Sequence, residues 1–215
     1  MLMSEFHYPK PKRLPVGKRI EGKEYLSKED LEWLFKSRLI IEEKMDGRQT
    51  FFYNDKYIFW CEDMLRKHSI KYRVPGRYAL FNIYNRKKMQ FLNREQMLEI
   101  WEDLKRGKIL LYDYEKRLAR PLMFPVPRIA LVKDVPMESL VKYIGISAYA
   151  IDEKGQHTFM EGIVIKHDRI QFYFEFRPGK IVREEFEKGI TVNYRDLPYE
   201  ENIIDPSVPL ILNYP

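Results

Sequence analysis

Several features that mark other protein classes are scarce or missing in this sequence. Cys61 is the only cysteine, so an intramolecular disulfide is impossible and a zinc site built from thiolates is not expected. The first ten residues contain no apolar run of the kind that marks a signal peptide. No window approaches the roughly 20 apolar residues of a membrane-spanning helix. These absences predict a cytoplasmic protein without a membrane partner or a disulfide scaffold.

What is present is enough material for a packed core under a charged surface. The 215 residues are 45% hydrophobic and 33% charged, and they include 15 tyrosines and 13 phenylalanines. This composition excludes intrinsic disorder and suffices for one large domain. Lysine and arginine number 38 against 32 acidic residues, which gives a net charge of +6. Such an excess permits a polyanionic partner and equally fits an ordinary basic surface.

Periodicity predicts a mixture of helices and strands. Ser27 and Asp30 form a capping box, which predicts a helix that begins there and ends near Ser37. Apolar residues at helical spacing predict further helices over 94–105 and 137–144. Apolar runs and alternation predict strands at 39–41, 49–54, 56–61, 78–83, 128–132, 161–166 and 169–176.

The order of these elements predicts a fold class. Strands 49–54 and 56–61 are expected to form a hairpin, and strand 161–166 is expected to pair with 169–176 across a tight turn. Within 169–176, Phe172 and Phe174 alternate with polar residues and are expected on the core face. Antiparallel strands with interspersed helices are typical of an α+β domain. No linker divides the chain, so residues 1–215 are expected to form a single domain of antiparallel sheets with flanking helices.

A lysine follows the strand predicted at 39–41, within the tetrapeptide Lys44–Gly47. Gly47 is expected to allow a sharp reversal, which would place one amine at the mouth of a sheet. A deprotonated amine there can act as a covalent nucleophile; burial lowers its pKa, and a nearby carboxylate such as Asp46 opposes this. An exposed turn explains the tetrapeptide, taken alone, about equally well.

Two later segments carry charges at the ends of strands. Glu161 and Lys166 flank an apolar run and can face a ligand together, although an ordinary strand with charged ends has the same pattern. The segment Arg177–Arg183 is a basic cluster around Lys180. It can bind phosphate or form a solvated turn.

In this order, the three segments resemble the covalent nucleotidyltransferase superfamily of ATP-dependent ligases and mRNA capping enzymes. The block Trp60–Tyr72 is similar to the glutamate-bearing third motif of the RNA ligase family within that superfamily. The resemblance covers roughly residues 8–190. The other stretches that fit the family are Tyr8–Gly17, Lys44–Gly47, Pro75, Tyr78–Tyr84, Phe91–Leu92 and Gly179–Phe186.

The resemblance implies an ATP-dependent RNA ligase that requires Mg²⁺ or Mn²⁺. Lys44 would attack the α-phosphate of ATP, form a lysine–AMP phosphoamide and release pyrophosphate. AMP would then pass to a 5′-phosphate on a nucleic acid, RNA being favoured over DNA. A 3′-hydroxyl would finally attack that end and seal the strand. Such phosphoryl transfers depend on positioned cations more than on acid–base groups.

The resemblance also implies roles for individual side chains. Glu62 would bind the ribose, Phe81 would stack on adenine, and Glu161 would help to hold the metal. Lys166 and Lys180 would contact the α-phosphate from strand ends, where they would contribute little to core packing. The full set implied for ATP binding is Glu43, Lys44, Asp46, Gly47, Glu62, Phe81, Glu161, Lys166 and Lys180.

Several positions depart from the family pattern, among them Gln49 where asparagine or a small polar residue is usual, and two other functions stay open. The arginine often found between the first and third motifs is missing from 49–62. Cys61 stands where glycine is usual, Asn82 where aspartate is usual, and Pro178 where a basic residue is common. The alternatives are a capping-type guanylyltransferase that uses GTP and a non-catalytic nucleotide- or RNA-binding relative. No full C-terminal accessory domain is expected after Phe186, so a minimal ligase, or one that uses an accessory protein or a second copy of itself, is predicted.

The lead-in segment at 9–22 is basic and rich in proline and glycine, which predicts an extended strap. Its cations can follow a phosphate backbone or simply form a solvated surface. They are Lys10, Lys12, Arg13, Lys18 and Arg19.

Overall fold

The computed structural model of the chain describes residues 7–17, 19–189 and 198–214. Its α-helices are α1 (Lys28–Phe35), α2 (Arg94–Lys105) and α3 (Glu184–Gly189), and 3₁₀ helices span Met137–Tyr143 and Tyr173–Glu175. The strands of the described ranges are β1 (Lys12–Arg13), β2 (Leu39–Glu43), β3 (Arg48–Tyr53), β4 (Tyr57–Asp63), β5 (Lys71–Val74), β6 (Tyr78–Asn85), β7 (Gln90–Phe91), β8 (Leu111–Tyr112), β9 (Leu118–Ala119), β10 (Met123–Pro125), β11 (Arg128–Val132), β12 (Ile146–Ile151), β13 (His157–Phe159), β14 (Gly162–His167), β15 (Gln171–Phe172), β16 (Gly179–Val182) and β17 (Ile203–Ile204).

The strands form three sheets. Sheet I has the order β1-β16-β14-β2-β11, and sheet III has the order β13-β12-β5-β17. Sheet II has the order β15-β7-β6-β4-β3-β8-β9, with β10 paired to β6. Most pairs are antiparallel, while β1–β16, β6–β10 and β5–β17 are parallel. The expected α+β class, with mostly antiparallel sheets and few helices, is therefore confirmed.

Both long helices begin at capping residues. The side chains of Ser27 and Asn93 each accept a hydrogen bond of 3.0 Å from the N–H three residues later. Such bonds satisfy N–H groups that have no partner inside the helix. The predicted helix 94–105 is confirmed as α2, whose apolar face buries Trp101 against sheet II. Among the described residues no helix is both long and apolar enough to cross a bilayer.

The predicted hairpin of β3 and β4 is also confirmed. Asn54 closes it, because its side-chain oxygen accepts hydrogen bonds from the N–H groups of Lys56 and Tyr57. The helix predicted over 137–144 is a 3₁₀ helix that buries Leu140. Lys18 of the basic strap lies outside the described residues.

Sheet I separates a hydrophobic core from a cleft. Along β2 and β14, Ile41 and Ile163 point to one face and pack in a cluster that includes Leu34 of α1. Glu42 and Val164 lie directly opposite each other in the register and point to the other face. This alternation follows from the two-residue period of a strand.

Sheet II has the same two-sided character. Phe59 and Cys61 of β4 pack in the core beneath α2. Trp60, between them, belongs to a cluster on the opposite face, which also contains Tyr8. Glu62 follows in phase with Trp60, so it faces the cleft. The cleft thus lies between the face of sheet I that carries Glu42 and the face of sheet II that carries Trp60 and Glu62.

One predicted pairing is wrong. The strand at 161–166 does not pair with 169–176, because both edges of β14 are taken by β2 and β16. Only Gln171–Phe172 is a strand, and it pairs with β7 of sheet II before the chain enters a 3₁₀ turn. Phe172 and Phe174, expected in the core, are 41% and 68% exposed and stack on each other.

Candidate active site

A cleft of about 190 Å³ opens between sheets I and II. It combines acidic, basic and aromatic side chains from distant parts of the sequence. Polar groups that converge in a cleft of this kind are typical of ligand sites. Its lining residues are Tyr8, Lys10, Pro11, Glu42, Glu43, Lys44, Met45, Gln49, Glu62, Phe81, Val126, Val164, Lys166 and Lys180.

Lys44 leaves the end of β2 and enters this cleft. Its backbone N–H donates to the carbonyl of Gly162 at 3.0 Å, which continues the pairing with β14 by one residue. Its ammonium donates to Oε2 of Glu161 at 2.6 Å, and the two side chains are 25% and 8% exposed. The predicted nucleophile and the predicted metal ligand are thus brought into direct contact.

The surroundings of Lys44 set its protonation. Burial acts to lower the pKa of the amine, but the carboxylate of Glu161, with Glu62 behind it, outweighs burial and holds that pKa above its ordinary value. The amine is therefore charged in the free protein. An amine in this state is a poor nucleophile until it loses its proton.

Glu62 faces the cleft without a hydrogen-bond partner for one of its oxygens. Oε2 is fully buried, and no described residue donates to it. Burial raises the pKa of this carboxyl to about 8, against the opposing attraction of Lys44. A buried polar atom without a partner costs free energy, which a ligand with hydroxyl groups can recover.

Lys180, on sheet I, resembles Glu62 in that its charged group has no partner among the described residues. It lies beside Val164 in the register of β16 and β14 and lines the cleft. No ion pair or hydrogen bond of its ammonium is found within the described ranges. Burial lowers its pKa, and the nearby cations Lys44 and Arg13 lower it further. The ammonium is therefore available to a phosphate.

The structure gives Lys166 a different environment from the predicted one. Its ammonium lies 2.5 Å from Oε2 of Glu42 and donates to the backbone carbonyl of Phe81 at 2.8 Å. The side chain is only 6% exposed, so the expectation of a strand-end lysine with little role in packing is wrong. The sequence pattern failed here because it could not show that β14 continues to His167 beneath sheet II.

Arg94 completes this ion cluster and was missed from the sequence. Its guanidinium donates to Oε1 of Glu42 at 2.8 Å and to the carbonyls of Val126 and Leu212. In the sequence Arg94 is the first residue of an amphipathic helix. A cation at that position interacts unfavourably with the positive end of the helix dipole. That unfavourable position was the one available signal that its charge is used elsewhere.

Glu43 lines the cleft, but its carboxylate oxygens are engaged inside the protein. They accept hydrogen bonds from the hydroxyls of Ser147 and Tyr214 and from the N–H of Ala148. Glu43 directly precedes Lys44, so these hydrogen bonds hold β12 and the C-terminal segment against the end of β2. Its predicted contact with ATP stays a prediction.

Asp46 and Gly47 shape the turn after Lys44. Oδ2 of Asp46 accepts hydrogen bonds from the N–H groups of Ser69 and Ile70, at 2.8 and 3.3 Å. A Cβ on Gly47 would lie 2.9 Å from the carbonyl of Asp63, so the backbones are too close for any side chain. Close approach, rather than the sharp reversal expected from the sequence, is what requires glycine here.

The aromatic wall of the cleft is built around Tyr8. Its ring packs edge-on against Phe81 with centroids 5.0 Å apart. Its hydroxyl accepts a hydrogen bond of 2.6 Å from the side-chain amide of Asn82. Asn82, one of the departures from the family pattern, therefore positions the ring that supports Phe81.

Gln49 lines the cleft, whereas two further departures, Cys61 and Pro178, lie away from it. Cys61 is fully buried in the core beneath α2, on the opposite face of β4 from Glu62. Its bulk therefore does not narrow the cleft. The carbonyl of Pro178 accepts a hydrogen bond from the N–H of Lys12, which docks the basic strap against β16.

The protein offers little to a metal ion on its own. Within the described ranges no group of three or more histidine, cysteine, aspartate or glutamate side chains is arranged to bind one. Glu161 stands beside Lys44 as a single carboxylate. This donor set fits Mg²⁺ held mainly by substrate phosphates, since that ion is commonly bound by one or two carboxylates plus phosphate oxygens.

Comparisons with known proteins add no further constraint. Neither models of protein families, nor curated proteins, nor solved structures gave a match. The function is therefore inferred from the chemistry and geometry of the cleft.

Proposed function

We propose that this chain is an ATP-dependent RNA ligase with a nucleotidyltransferase fold, and that Lys44 is its covalent nucleophile. One observation carries the proposal. A single cleft contains the partly buried amine of Lys44, the ammonium of Lys180 and the buried Oε2 of Glu62, and the last two have no partner among the described residues. Together these groups suit a ligand with a reactive phosphate at one end and hydroxyl groups at the other.

Lys44 carries out the first chemical step. It releases a proton to solvent, and its amine then attacks the α-phosphorus of ATP. The N–P bond forms as the bond from that phosphorus to the bridging oxygen breaks, and pyrophosphate leaves. Lys180 stabilises the charge that develops on the α-phosphate oxygens, because its ammonium has no competing partner among the described residues.

The other lining residues orient the nucleotide. Glu62 accepts hydrogen bonds from the ribose hydroxyls, which supply the donors that its buried oxygen lacks. Phe81, supported by Tyr8, provides a face on which the adenine stacks. The predicted contact of Lys166 with the α-phosphate requires its ammonium to leave Glu42, so Lys180 is the main phosphate ligand.

A bound Mg²⁺ or Mn²⁺ would neutralise phosphate charge, with Glu161 as its protein ligand. The contact of Glu161 with Lys44 gives this carboxylate a second use. While it pairs with the ammonium, the lysine stays protonated and unreactive. Loss of this ion pair would lower the pKa of the Lys44 amine and so favour its deprotonation.

RNA is the substrate of the second and third steps; the lysine is the leaving group of the second, and AMP is the leaving group of the third. The 5′-phosphate of a strand attacks the α-phosphorus, and the bond to Lys44 Nζ breaks as the amine takes up a proton. A 3′-hydroxyl then attacks the 5′-phosphate, joins the strands and releases AMP. The third step has no need of a free amine on Lys44.

The test uses two substrates and two variants. α-labelled ATP should label the native protein covalently in the presence of Mg²⁺ or Mn²⁺, and labelled GTP should not. Lys44→Ala and Lys44→Arg should take no label, because alanine has no amine and guanidinium stays protonated. Both variants should still join a strand whose 5′ end is already adenylylated.

Lys154→Ala is the matched control, since Lys154 is an exposed lysine of a surface turn. It should behave like the native protein. Equal or stronger labelling by GTP would favour a capping-type guanylyltransferase. Absence of any label from either nucleotide would favour a non-catalytic relative, and full labelling of Lys44→Ala would contradict the proposed nucleophile.

A further inference from the structure

A second groove, of about 390 Å³, adjoins the cleft on sheet I. It is formed by the basic strap, β1 and β16, and Lys180 lines both spaces. Arg13, Arg19 and Tyr25 also line it, and among its described lining residues Glu184 is the one acidic side chain. Lys180, which has no partner in the described part of the chain, therefore lies at the junction of the cleft and the groove.

The strand register shows that the groove is a lateral extension of the cleft. Val164 of β14 lies opposite Lys180 of β16, Lys180 lies opposite Arg13 of β1, and Arg13 forms a bridge with Tyr25. Residues directly opposite each other in a sheet point to the same face. One row of side chains thus runs across sheet I from the cleft into the groove.

A turn of the strap places the guanidinium of Arg19 beside Tyr25, at the end of this row of side chains. The guanidinium carbon of Arg19 lies 5.2 Å from the centre of the Tyr25 ring. The hydroxyl of Tyr25 accepts a hydrogen bond of 2.7 Å from the N–H of Ile20, which fixes the turn around the ring. Guanidinium groups held in this way are well suited to binding phosphate.

Charge supports the same assignment. Lys44, Arg13 and Lys23 are all close enough to Lys180 to depress its pKa, and the carboxylate of Glu161 opposes them only in part. A concentration of positive charge along a groove attracts anions. The groove therefore has the electrostatic character of a site for phosphate groups that lie beyond the α-phosphate.

In-line chemistry specifies which phosphate groups these are. In an in-line displacement the attacking and leaving groups lie on opposite sides of phosphorus. When Lys44 attacks, pyrophosphate leaves on the side opposite the amine. When Lys44 is later displaced, the 5′-phosphate of the RNA strand must approach from that same side. One site can therefore hold both groups in turn.

Resting on the proposed ligase function, we propose that the groove of Arg13 and Arg19 is this site. It binds the β- and γ-phosphates of ATP in the first step and the 5′-phosphate of the RNA strand in the second. Arg13 and Arg19 bind phosphate oxygens, and Lys180 remains with the α-phosphate. No bond to either arginine forms or breaks.

The experiment starts from native protein loaded with labelled AMP and freed of ATP. One portion is mixed with pyrophosphate, which regenerates ATP, and another with a 5′-phosphorylated RNA strand, and loss of label is followed in each. Arg13→Gln and Arg19→Gln should each raise the concentration needed for half-maximal rate about tenfold, as expected for loss of one charge-assisted hydrogen bond. Thermal unfolding of both variants confirms that they are folded.

Lys12→Gln is the matched control, because Lys12 precedes Arg13 in β1 and its side chain points to the opposite face. It should match the native protein in both portions. A defect of the arginine variants that the control lacks supports phosphate binding in the groove. The portion in which the defect occurs shows whether the groove binds pyrophosphate, the RNA 5′-phosphate or both. Rates equal to those of the control in both portions overturn the proposal.

A binding measurement separates this proposal from the proposed function. Titration of the unloaded protein with inorganic pyrophosphate in a calorimeter requires no chemistry. The native protein should bind, and the two arginine variants should bind about tenfold more weakly. If the protein takes no label from ATP, the ligase proposal fails while this titration still tests the groove. Equal binding by the native protein and both variants would reject the groove itself.

Discussion

Two groups of charged residues contribute side chains to the same cleft, and they differ in how their charges are paired. In the first group Glu42 is enclosed by Lys166 and Arg94, and both of its oxygens are paired. In the second group Lys180 and one oxygen of Glu62 have no partner among the described residues. The charges of the first group are paired with one another. The charged groups of the second can gain partners from a ligand.

The difference separates charges that maintain the structure from charges that await a ligand. A buried ion pair contributes little net stability, but removal of one partner leaves an uncompensated charge and is costly. An unpaired group in a cleft lowers stability in the free protein and gains interaction when a ligand arrives. Similar residue types on neighbouring strands therefore predict different responses to substitution.

The largest effect on stability is expected when Glu42 is removed. Glu42→Ala leaves the cations of Lys166 and Arg94 buried together, which should lower the free energy of unfolding by about 3–5 kcal/mol. Urea denaturation measures this loss. Glu153→Ala, at an exposed turn, is the control and should change stability by less than about 0.5 kcal/mol. A loss no larger than that of the control would mean that the cluster is not buried as described.

The same substitution at two lysines tests the comparison directly. Lys180→Ala should slow attachment of AMP by about 10²–10³-fold, as for removal of a fixed oxyanion donor, with a stability change within about 0.5 kcal/mol. Lys166→Ala should instead lower the free energy of unfolding by about 1–3 kcal/mol, because the Glu42 oxygen and the Phe81 carbonyl lose their donor. Single-turnover labelling and urea denaturation of both variants measure these effects; the reverse assignment would invalidate the comparison.

A smaller effect is expected from Glu62 and depends on pH. Its pKa is about 8 in the folded protein against 4.5 as the ordinary value, so the folded state holds a proton that the unfolded state releases. The native protein should therefore lose stability relative to Glu62→Gln as pH rises from 4.5 to 8, by at least about 1 kcal/mol. Urea denaturation across this window measures the difference. Parallel curves for the two proteins would mean that the carboxyl has a partner.

The smallest effect is expected at Cys61, which lies behind Glu62 on the other face of β4. Cys61→Ala removes only a sulfur from the core beneath α2 and should lower stability by about 1 kcal/mol. The rate of AMP attachment should stay within about twofold of the native rate. A large gain in rate would show that the side chain reaches the cleft after all.

Local patterns of the sequence were good guides where neighbours in the chain decide the structure. The capping residues and apolar spacing of α2 are complete within the helix itself, so its bounds agree with the prediction. The hairpin of β3 and β4 was likewise evident from two β-rich runs around Asn54. These elements need only short-range information.

Strand 169–176 shows where such patterns fail. Its alternation of phenylalanine with polar residues predicted a strand that pairs with β14 and turns one face to the core. The alternation cannot reveal that both edges of β14 are occupied, which leaves Phe172 and Phe174 on the surface. Pairing is a choice among distant strands, and a local period carries no information about competitors.

The sequence by itself determined which chemical groups this protein brings to its cleft: one lysine after β2, a glutamate on β4, an aromatic residue on β6 and two lysines on β14 and β16. Only the tertiary structure decided which of them are free. Lys166 is paired because Glu42, 124 positions before it, lies 2.5 Å from its ammonium. Arg94, 72 positions before Lys166, contacts the other oxygen of the same carboxylate at 2.8 Å. Lys180 has no such neighbour in the described chain, and pairing of charges depends on distance in space rather than along the sequence.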